Sequence, residues 1–381
     1  MRLGIVTRHV GRNDGQGRVN YEIATEALRR GHRVTLFCEQ VDPALAAHEA
    51  VRAELLPAPA WLPTRLSKDQ VYAWRTRRRL HAAGAERCDA VLANGFTTWA
   101  RADVNAVHFV HDSWSRSPHH PWRQRRGAGS LYRHLYSRVN ARLERGAFRR
   151  SPKIVAVSAL VRRQLVEAGV PEDRIATVLN GVDAQEFRPG LARRADFGLP
   201  DGAIVGLFAG DLADSRKNLD TVLHAVARTP GLHLAVAGRY EGTGWPALAA
   251  ELSVGDRVHF LGFQRDMPGL MRAADLFVFP SRYEACSLVL LEAMASGLPV
   301  ITARSAGGAE IVAPEAGVVL RDGEDADALA AALRPVAESA ERRRAMGAAG
   351  RAVALRHSWP AMAACYIALL EDAAREARHG V

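Results

Sequence analysis

Residues 281–302 read SRYEACSLVLLEAMASGLPVIT, flanked by two β-rich apolar runs, DLFVF ending before Pro280 and PVITAR beginning at Pro299. The order is strand, loop, helix, strand, the unit that joins parallel strands, because a parallel neighbour is reached only through a crossover. The loop carries Glu284, the helix opens near Cys286 and Ser287 and runs from about Leu288 to Ser296, and Glu292 sits inside it. A helix start presents unpaired N–H groups and about half a positive charge, which suits a diphosphate. At roughly 1.5 Å per residue, Glu292 lies about 8 Å along the axis, placed to accept from ribose hydroxyls while Glu284 addresses a group at the opposite end. A capping carboxylate followed by a surface acid would show the same spacing, so both readings stand on spacing alone.

Working outward, the C-terminal half repeats the pattern in AIVGLFAG, a helix from about Leu219 to Ala227, LHLAVAG, RVHFLGF and GVVLR. Short, near-continuous apolar runs alternating with helices are what strands covered on both faces look like. The N-terminal half holds RLGIV, a polar glycine loop from Gly11 to Gly17, the helical YEIATEALRR closed by Gly31, then HRVTLF, DAVLAN, AVHFVH and KIVAVS. Asn180-Gly181 and Pro189-Gly190 punctuate the join between halves, and the tail from Trp359 through Ala377 is helical, with Met362, Tyr366, Leu369 and Leu370 on one side. The expected fold is α/β, with two Rossmann-like doubly wound parallel-sheet domains facing a cleft at their carboxyl strand ends. Residues 1–179 with a C-terminal crossover helix, 358–381, form one domain and residues 180–357 the other.

The 381 residues are 48% hydrophobic and 24% charged, enough for about two domain cores and too apolar for a disordered chain. The four cysteines, Cys38, Cys88, Cys286 and Cys365, show neither CxxC spacing nor a dense framework, which argues against a disulfide scaffold or structural zinc and for a reducing cytoplasm. MRLGIVTRHV reads as a strand before a glycine loop, and no uncharged run approaches the roughly 20 residues that span a bilayer. Neither a secreted nor an integral protein is expected. Charge is divided unevenly: residues 1–180 hold 30 Lys+Arg against 16 Asp+Glu, net +14, and residues 181–381 hold 21 against 25, net −4. A positive half attracts phosphate-bearing polymers or an anionic membrane surface. Only Lys68, Lys153 and Lys217 are lysine, so the arginine clusters also fit a chain-wide habit of usage.

The Glu284/Glu292 pair followed by AMASGLPV and SAGGAE resembles glycosyltransferase family 4, retaining enzymes of the GT-B fold. The likeness extends to the glycine loop before EALRRGHRV, the NGVD hinge, the RKN loop, GLMRAADLFVFPSRYE and the terminal helix. It implies a nucleotide-sugar donor held mainly by the C-terminal domain, an acceptor held mainly by the N-terminal one, and a tail that crosses back after Trp359. Glu284 would then bond the donor sugar hydroxyls, Glu292 the ribose, and the N–H groups around Cys286, Ser287 and Leu288 the distal phosphate. The family usually has glycine where Ser287 stands. In GDLADSRKNLD the likeness sets Arg216 and Lys217 over the diphosphate, where positive charge stabilises the leaving group, so that no metal or other cofactor is required. The arginine expected directly after Gly210 is Asp211, so that either Arg216 replaces it or the loop is shifted by one residue. NDGQGR resembles the diglycine loop, with Asp14 for the first glycine and Gly15 for the second; Gly15, Gln16 and Gly17 would lie against the phosphates and the transferred sugar. A plain tight turn is the alternative, and a nicotinamide fingerprint fails because Asn20 replaces its third glycine.

In AVHFVHDSW the family's sugar-contacting histidine resembles His111 best, which would orient the donor's 6-hydroxyl or the reacting carbonyl-side groups without acting as a base. Strand alternation sets His108 and His111 on opposite faces, so that at most one faces the cleft; a satisfied loop histidine is the alternative. His119-His120 has no metal-ligand companions and is given no chemistry. In LYRHLYSRVNARLERGAFRR, Leu131, Leu135, Val139 and Tyr132, Tyr136, Leu143 recur at helical spacing among arginines. Such a helix either packs on its own sheet or lays a basic, aromatic face on anionic lipid or a phosphorylated acceptor.

The expected function is transfer of a hexose, with retention, from a nucleotide-diphosphate sugar to a hydroxyl of a glycan or glycolipid. A UDP-sugar is favoured over GDP-mannose, with base contacts near Phe263 and Gln264. Within the family the RK pair and the basic aromatic half resemble the glucosyltransferases of the lipopolysaccharide core. The expected location is the cytoplasm, peripheral at the inner face of the plasma membrane. An epimerase or hydrolase of the same fold is the alternative. A nucleic-acid-binding protein is disfavoured, since no RRM, KH or zinc-finger motif occurs and acids occupy the candidate site.

Overall fold

The computed structural model describes residues 1–12, 15–82, 87–213 and 215–379. The chain divides into two compact units, Met1–Asn180 with Trp359–Val381, and Gly181–Ser358.

The strands of the first unit are β1 (Arg2–Val6), β2 (His9–Val10), β3 (Arg33–Cys38), β4 (Gln40–Val41), β5 (Val51–Leu55), β6 (Ala90–Asn94), β7 (Val104–Val107), β8 (Lys153–Ala156) and β9 (Ile175–Thr177). Seven make one parallel sheet in the order β5-β3-β1-β6-β7-β8-β9, and β2 pairs with β4 beside it. The second unit has β10 (Ile204–Ala209), β11 (Leu232–Ala237), β12 (Val258–Gly262), β13 (Leu276–Phe279), β14 (Val300–Ala303) and β15 (Gly317–Leu320), parallel in the order β12-β11-β10-β13-β14-β15. Every residue of β6, β7, β13 and β14 is buried, as it must be where helices cover both faces. Strand order reverses at β1/β6 and again at β10/β13. The loops leaving those neighbours run to opposite sides, which opens a crevice at their carboxyl ends.

All six apolar runs read in the C-terminal half are strands. The first unit departs from the sequence reading in three places. Its first long helix, Gly15–Arg29, starts at Gly15, so Gly15, Gln16 and Gly17 are its opening turn instead of a loop; Asn13 and Asp14 lie outside the described residues. Strand β7 stops at Val107 and the chain enters a short helix, His111–Arg116, so strand alternation does not govern His108 and His111. Edge strand β5 carries a half-exposed, polar-mixed sequence that lacks the apolar run by which inner strands were recognised.

The last helix, Trp359–His379, lies against Gly15–Arg29. It buries Met362, Ala363, Tyr366, Ile367 and Leu370, His32 Nε2 meets Glu371 at 3.0 Å, and Arg18 lies over the Trp359 ring. Helix Ala128–Arg150 turns Ser137, Asn140, Ala141, Glu144, Ala147 and Phe148 inward and leaves Leu131, Tyr132, Leu135 and Val139 exposed. These four are therefore not packed on the sheet, while Tyr136 and Leu143 of the same stripe are half-buried.

Candidate active site

In the second unit the two loops beside the switch point, after β10 and after β13, are bound together by buried polar groups. Asn218, buried and left-handed at φ 67°, donates to the carbonyls of Pro280 at 2.8 Å and Gly323 at 2.7 Å and accepts from Thr221 at 2.6 Å. Arg282 donates to Ser215 O at 2.8 Å, to both Asp220 oxygens at 3.0 and 2.7 Å and to Glu324 at 2.8 Å. Its backbone N–H and the Ser281 hydroxyl both reach Arg216 O, at 2.8 and 2.9 Å. Burial disfavours the Arg282 charge, but the hydrogen bonds it gives to Asp220 and Glu324 outweigh it and raise the pKa.

That frame aims Lys217. Its methylenes cross Gly210, where an added Cβ would stand 3.3 Å from them. Its ammonium pairs with Glu284 and sits 5.3 Å from the centre of the Phe279 ring. Asp211 spends a carboxylate oxygen on the Ala213 N–H at 3.2 Å. Arg216 follows in the turn Ser215–Lys217, held through its carbonyl.

The loop 281–287 zips onto 305–308 through Glu284 N–H to Ser305 O, Gly307 N–H to Glu284 O and Ser287 N–H to Gly307 O, at 3.3, 2.8 and 2.9 Å. Gly307 lies so close that an added Cβ would fall 1.9 Å from Ala285 O, so SAGGAE needs glycine there. Helix Leu288–Ala295 starts from this loop with Ser287 as its cap. Since the Ser287 N–H is already given to Gly307, the amides left without intrahelical partners at this end begin at Leu288. The Ser287 hydroxyl is 3% exposed as a residue and has no hydrogen-bond partner among the described residues. A buried donor in that state calls for an acceptor. Cys286 is a half-buried cysteine beside it, in no disulfide, and Glu292 lies half-buried farther along the helix.

In the first unit a cavity of about 280 Å³ opens at the β1/β6 switch point, lined among others by Thr7, Arg8, Gln16, Asn94, His108 and His111. Both histidines therefore face one cavity, contrary to the alternation argument. The floor is polar and bonded: Asn20 bridges Thr7 at 3.2 Å and Asn94 at 3.0 Å, and Tyr72 donates toward the Thr7 and Phe37 carbonyls, both at 2.6 Å. Asn20, the residue that breaks the nicotinamide fingerprint, thus ties the first helix to the sheet. At the rim Arg8 joins Glu39 to Asp69, Arg65 reaches Asp69 at 3.1 Å, and Tyr136 donates to Asp69 at 2.9 Å. His111 meets Glu144 twice, Nδ1 at 2.6 Å and backbone N–H at 3.0 Å. Burial lowers the pKa of His111, but the charge and hydrogen bond of Glu144, with the charge of Asp69, outweigh it and raise the net value. His120 caps the turn Pro121–Gln124 and contacts Ser137, a structural role. Among the described residues no group of three or more His, Cys, Asp or Glu is placed to hold a metal ion.

Two doubly wound parallel sheets, each with its polar residues gathered at the switch point, define a GT-B architecture. Residues 13–186 match Glycosyltransferase Family 4 and residues 192–353 match Glycosyl transferases group 1; the chain belongs to the group 1/family 4 glycosyltransferases. It is 38% identical over 205 residues to the D-inositol 3-phosphate glycosyltransferase of Saccharomonospora viridis, an overlap of 49% of this chain and 47% of that protein. The chain thus spans about half the length of the curated relatives it matches. Among solved structures it resembles WaaG, a glycosyltransferase involved in lipopolysaccharide biosynthesis, with TM-score 0.75, 22% identity and coverage of 97% and 99% of the two chains. It also resembles Anabaena HepE in complex with UDP and glucose, with TM-score 0.69, 20% identity and coverage of 96% and 98%. These likenesses establish the fold.

Arg282, Asn218, Asp69 and Glu144 were not identified from the sequence. Arg282 and Asn218 stand inside stretches that were read as motifs, but their task depends on which loops meet. Glu144 lies in a helix noticed for its arginines.

Proposed function

We propose that this protein transfers a hexose from a nucleotide-diphosphate sugar to a hydroxyl acceptor, with retention. The Gly181–Ser358 unit holds the donor; the Met1–Asn180 unit with the last helix holds the acceptor. The observation that carries this reading is the buried Ser287 hydroxyl, without a hydrogen-bond partner among the described residues, at a helix start on the loop that carries Glu284, the partner of Lys217. The amides from Leu288 onward and the Ser287 hydroxyl receive the distal phosphate, while Lys217 and Arg216 neutralise charge on the departing diphosphate. Glu292 accepts from the ribose. Glu284, relieved of Lys217 by the phosphate, bonds hydroxyls of the sugar. His111 and the turn Gly15–Gly17 contact the transferred sugar. The anomeric carbon–oxygen bond to diphosphate breaks, the acceptor oxygen bonds to the same face, and its proton passes to a phosphate oxygen, so these residues act through positioning and charge. No metal or other cofactor takes part.

The donor is a UDP-sugar in preference to GDP-mannose, a choice supported by HepE binding UDP and glucose. The acceptor is a glycan or glycolipid, and the likeness to WaaG supports a cell-envelope substrate such as the lipopolysaccharide core. The enzyme works at the cytoplasmic face of the plasma membrane. Among the described residues no helix is long and apolar enough to cross a membrane, and contact is made by the exposed Leu131, Leu135 and Val139 stripe among the exposed Arg125, Arg126, Arg138 and Arg142.

Thermal melting against a panel of nucleotide sugars tests the donor, since a ligand at about 100 times its Kd stabilises by about 2.7 kcal/mol. UDP-hexoses are expected to raise Tm above GDP-mannose. No shift with any nucleotide sugar would defeat the proposal, and release of free or isomerised sugar without an acceptor would favour a hydrolase or epimerase.

A further inference from the structure

We infer that Glu144 is the positioning residue of His111, holding both its backbone and its ring so that Nε2 is the nitrogen offered to the cavity of the first unit. The inference rests on the proposed reading of His111 as a sugar-contacting residue. Glu144 is 4% exposed and faces inward from helix Ala128–Arg150. A carboxylate so buried is retained only when its oxygens are well bonded. One oxygen accepts the His111 N–H at 3.0 Å and the other lies 2.6 Å from Nδ1. Helix His111–Arg116 has no side-chain cap of its own at Val110, so Glu144 supplies from a neighbouring helix the acceptor its first turn lacks. An ionised carboxylate can only accept, so Nδ1 carries a hydrogen, and Nε2 remains for a ligand.

The rings of Phe109 and Tyr136 stand edgewise to the imidazole at 4.9 and 5.8 Å and restrict its rotation. The charged and titratable groups around it are Glu144, Asp69, Tyr136, Arg8, Arg65, His108 and the adjoining Asp112. Arg8 and Arg65 are both engaged by Asp69. The net balance raises the pKa of His111 and so favours the doubly protonated ring, in which Nε2 also carries a hydrogen. His111 then gives a hydrogen bond to a sugar hydroxyl, a role distinct from that of a base.

The test is Glu144→Gln, which keeps the shape and removes the charge. His111 is titrated by NMR in both proteins, its signal assigned by its loss in His111→Asn. The wild-type midpoint is expected above that of an ordinary imidazole and lower in Glu144→Gln. Transfer should fall about tenfold in kcat with little change in donor KM and recover in part in Glu144→Asp. Equal midpoints in the two proteins would overturn the inference. If Glu144→Gln does not fold, a wild-type midpoint at or below the ordinary value would overturn it, and a raised one would support it. Wild-type turnover in His111→Ala beside a shifted titration would sink the sugar-contact reading and leave the assignment of Glu144 standing.

Discussion

Individual side chains at the second unit's switch point carry the sharpest expectations. Lys217→Ala removes the ammonium proposed to face developing phosphate charge, and Glu292→Ala removes the proposed ribose acceptor. Each is expected to cost about tenfold or more in transfer, and wild-type turnover in both would refute the donor-site assignment. Arg282→Gln should act differently. Its guanidinium holds Ser215, Asp220 and Glu324 together at 9% side-chain exposure, so its loss leaves two acids facing each other and frees the turn that presents Lys217. A lower Tm together with weaker nucleotide binding is expected, and weaker binding at unchanged Tm would show that Arg282 touches ligand directly. Lys217, Glu284 and Glu292 were legible because their spacing follows a recognisable motif. Arg282 was not, because its partner Asp220 is 62 positions away and an ion pair across two loops leaves no periodic trace.

Elements differ in how openly the sequence declares them. Inner strands were readable because burial on both faces demands continuous apolar runs; β5, at an edge, has no such demand. Helix Ala128–Arg150 shows apolar spacing without showing where the stripe points, and tertiary packing turned most of it outward. Leu135, 53% exposed, should therefore accept Gln with a stability change within about 0.5 kcal/mol. Changing Arg125, Arg126, Arg142 and Arg145 together to Gln should abolish co-sedimentation with anionic vesicles, and unchanged partitioning would remove the membrane proposal. The first helix offers a pH experiment. The hydrogen bond from Arg29 depresses the carboxyl of Glu26 most, helped by that from Arg30 against the opposing effect of burial, and brings it to about 2. A depressed carboxylate contributes stability that is complete above its unfolded value of about 4.3 and fades as pH falls toward 2. Glu26→Gln should therefore be less stable than wild type at pH 7, with the gap between their melting temperatures narrowing through that window.

On the scale of the whole molecule, the last helix is part of the first unit's core although the second unit intervenes in sequence. Ile367 is fully buried there, and Ile367→Ala is expected to cost about 2–5 kcal/mol by calorimetry. A cost below about 1 kcal/mol would mean that the helix is not packed as described. The sequence by itself determined the alternation of strands and helices, the two parallel sheets, the charge asymmetry and the motif that marks the family, since each is a local pattern of apolarity, turn chemistry or composition. Only the tertiary structure decided that both His108 and His111 line one cavity, that Ser287 gives its amide to Gly307, and that Lys217 meets Glu284 across 67 positions and His111 meets Glu144 across 33. Periodicity records which face of an element is buried. Polar partners on different loops are chosen by strand order and register, which bring together residues that no local pattern connects.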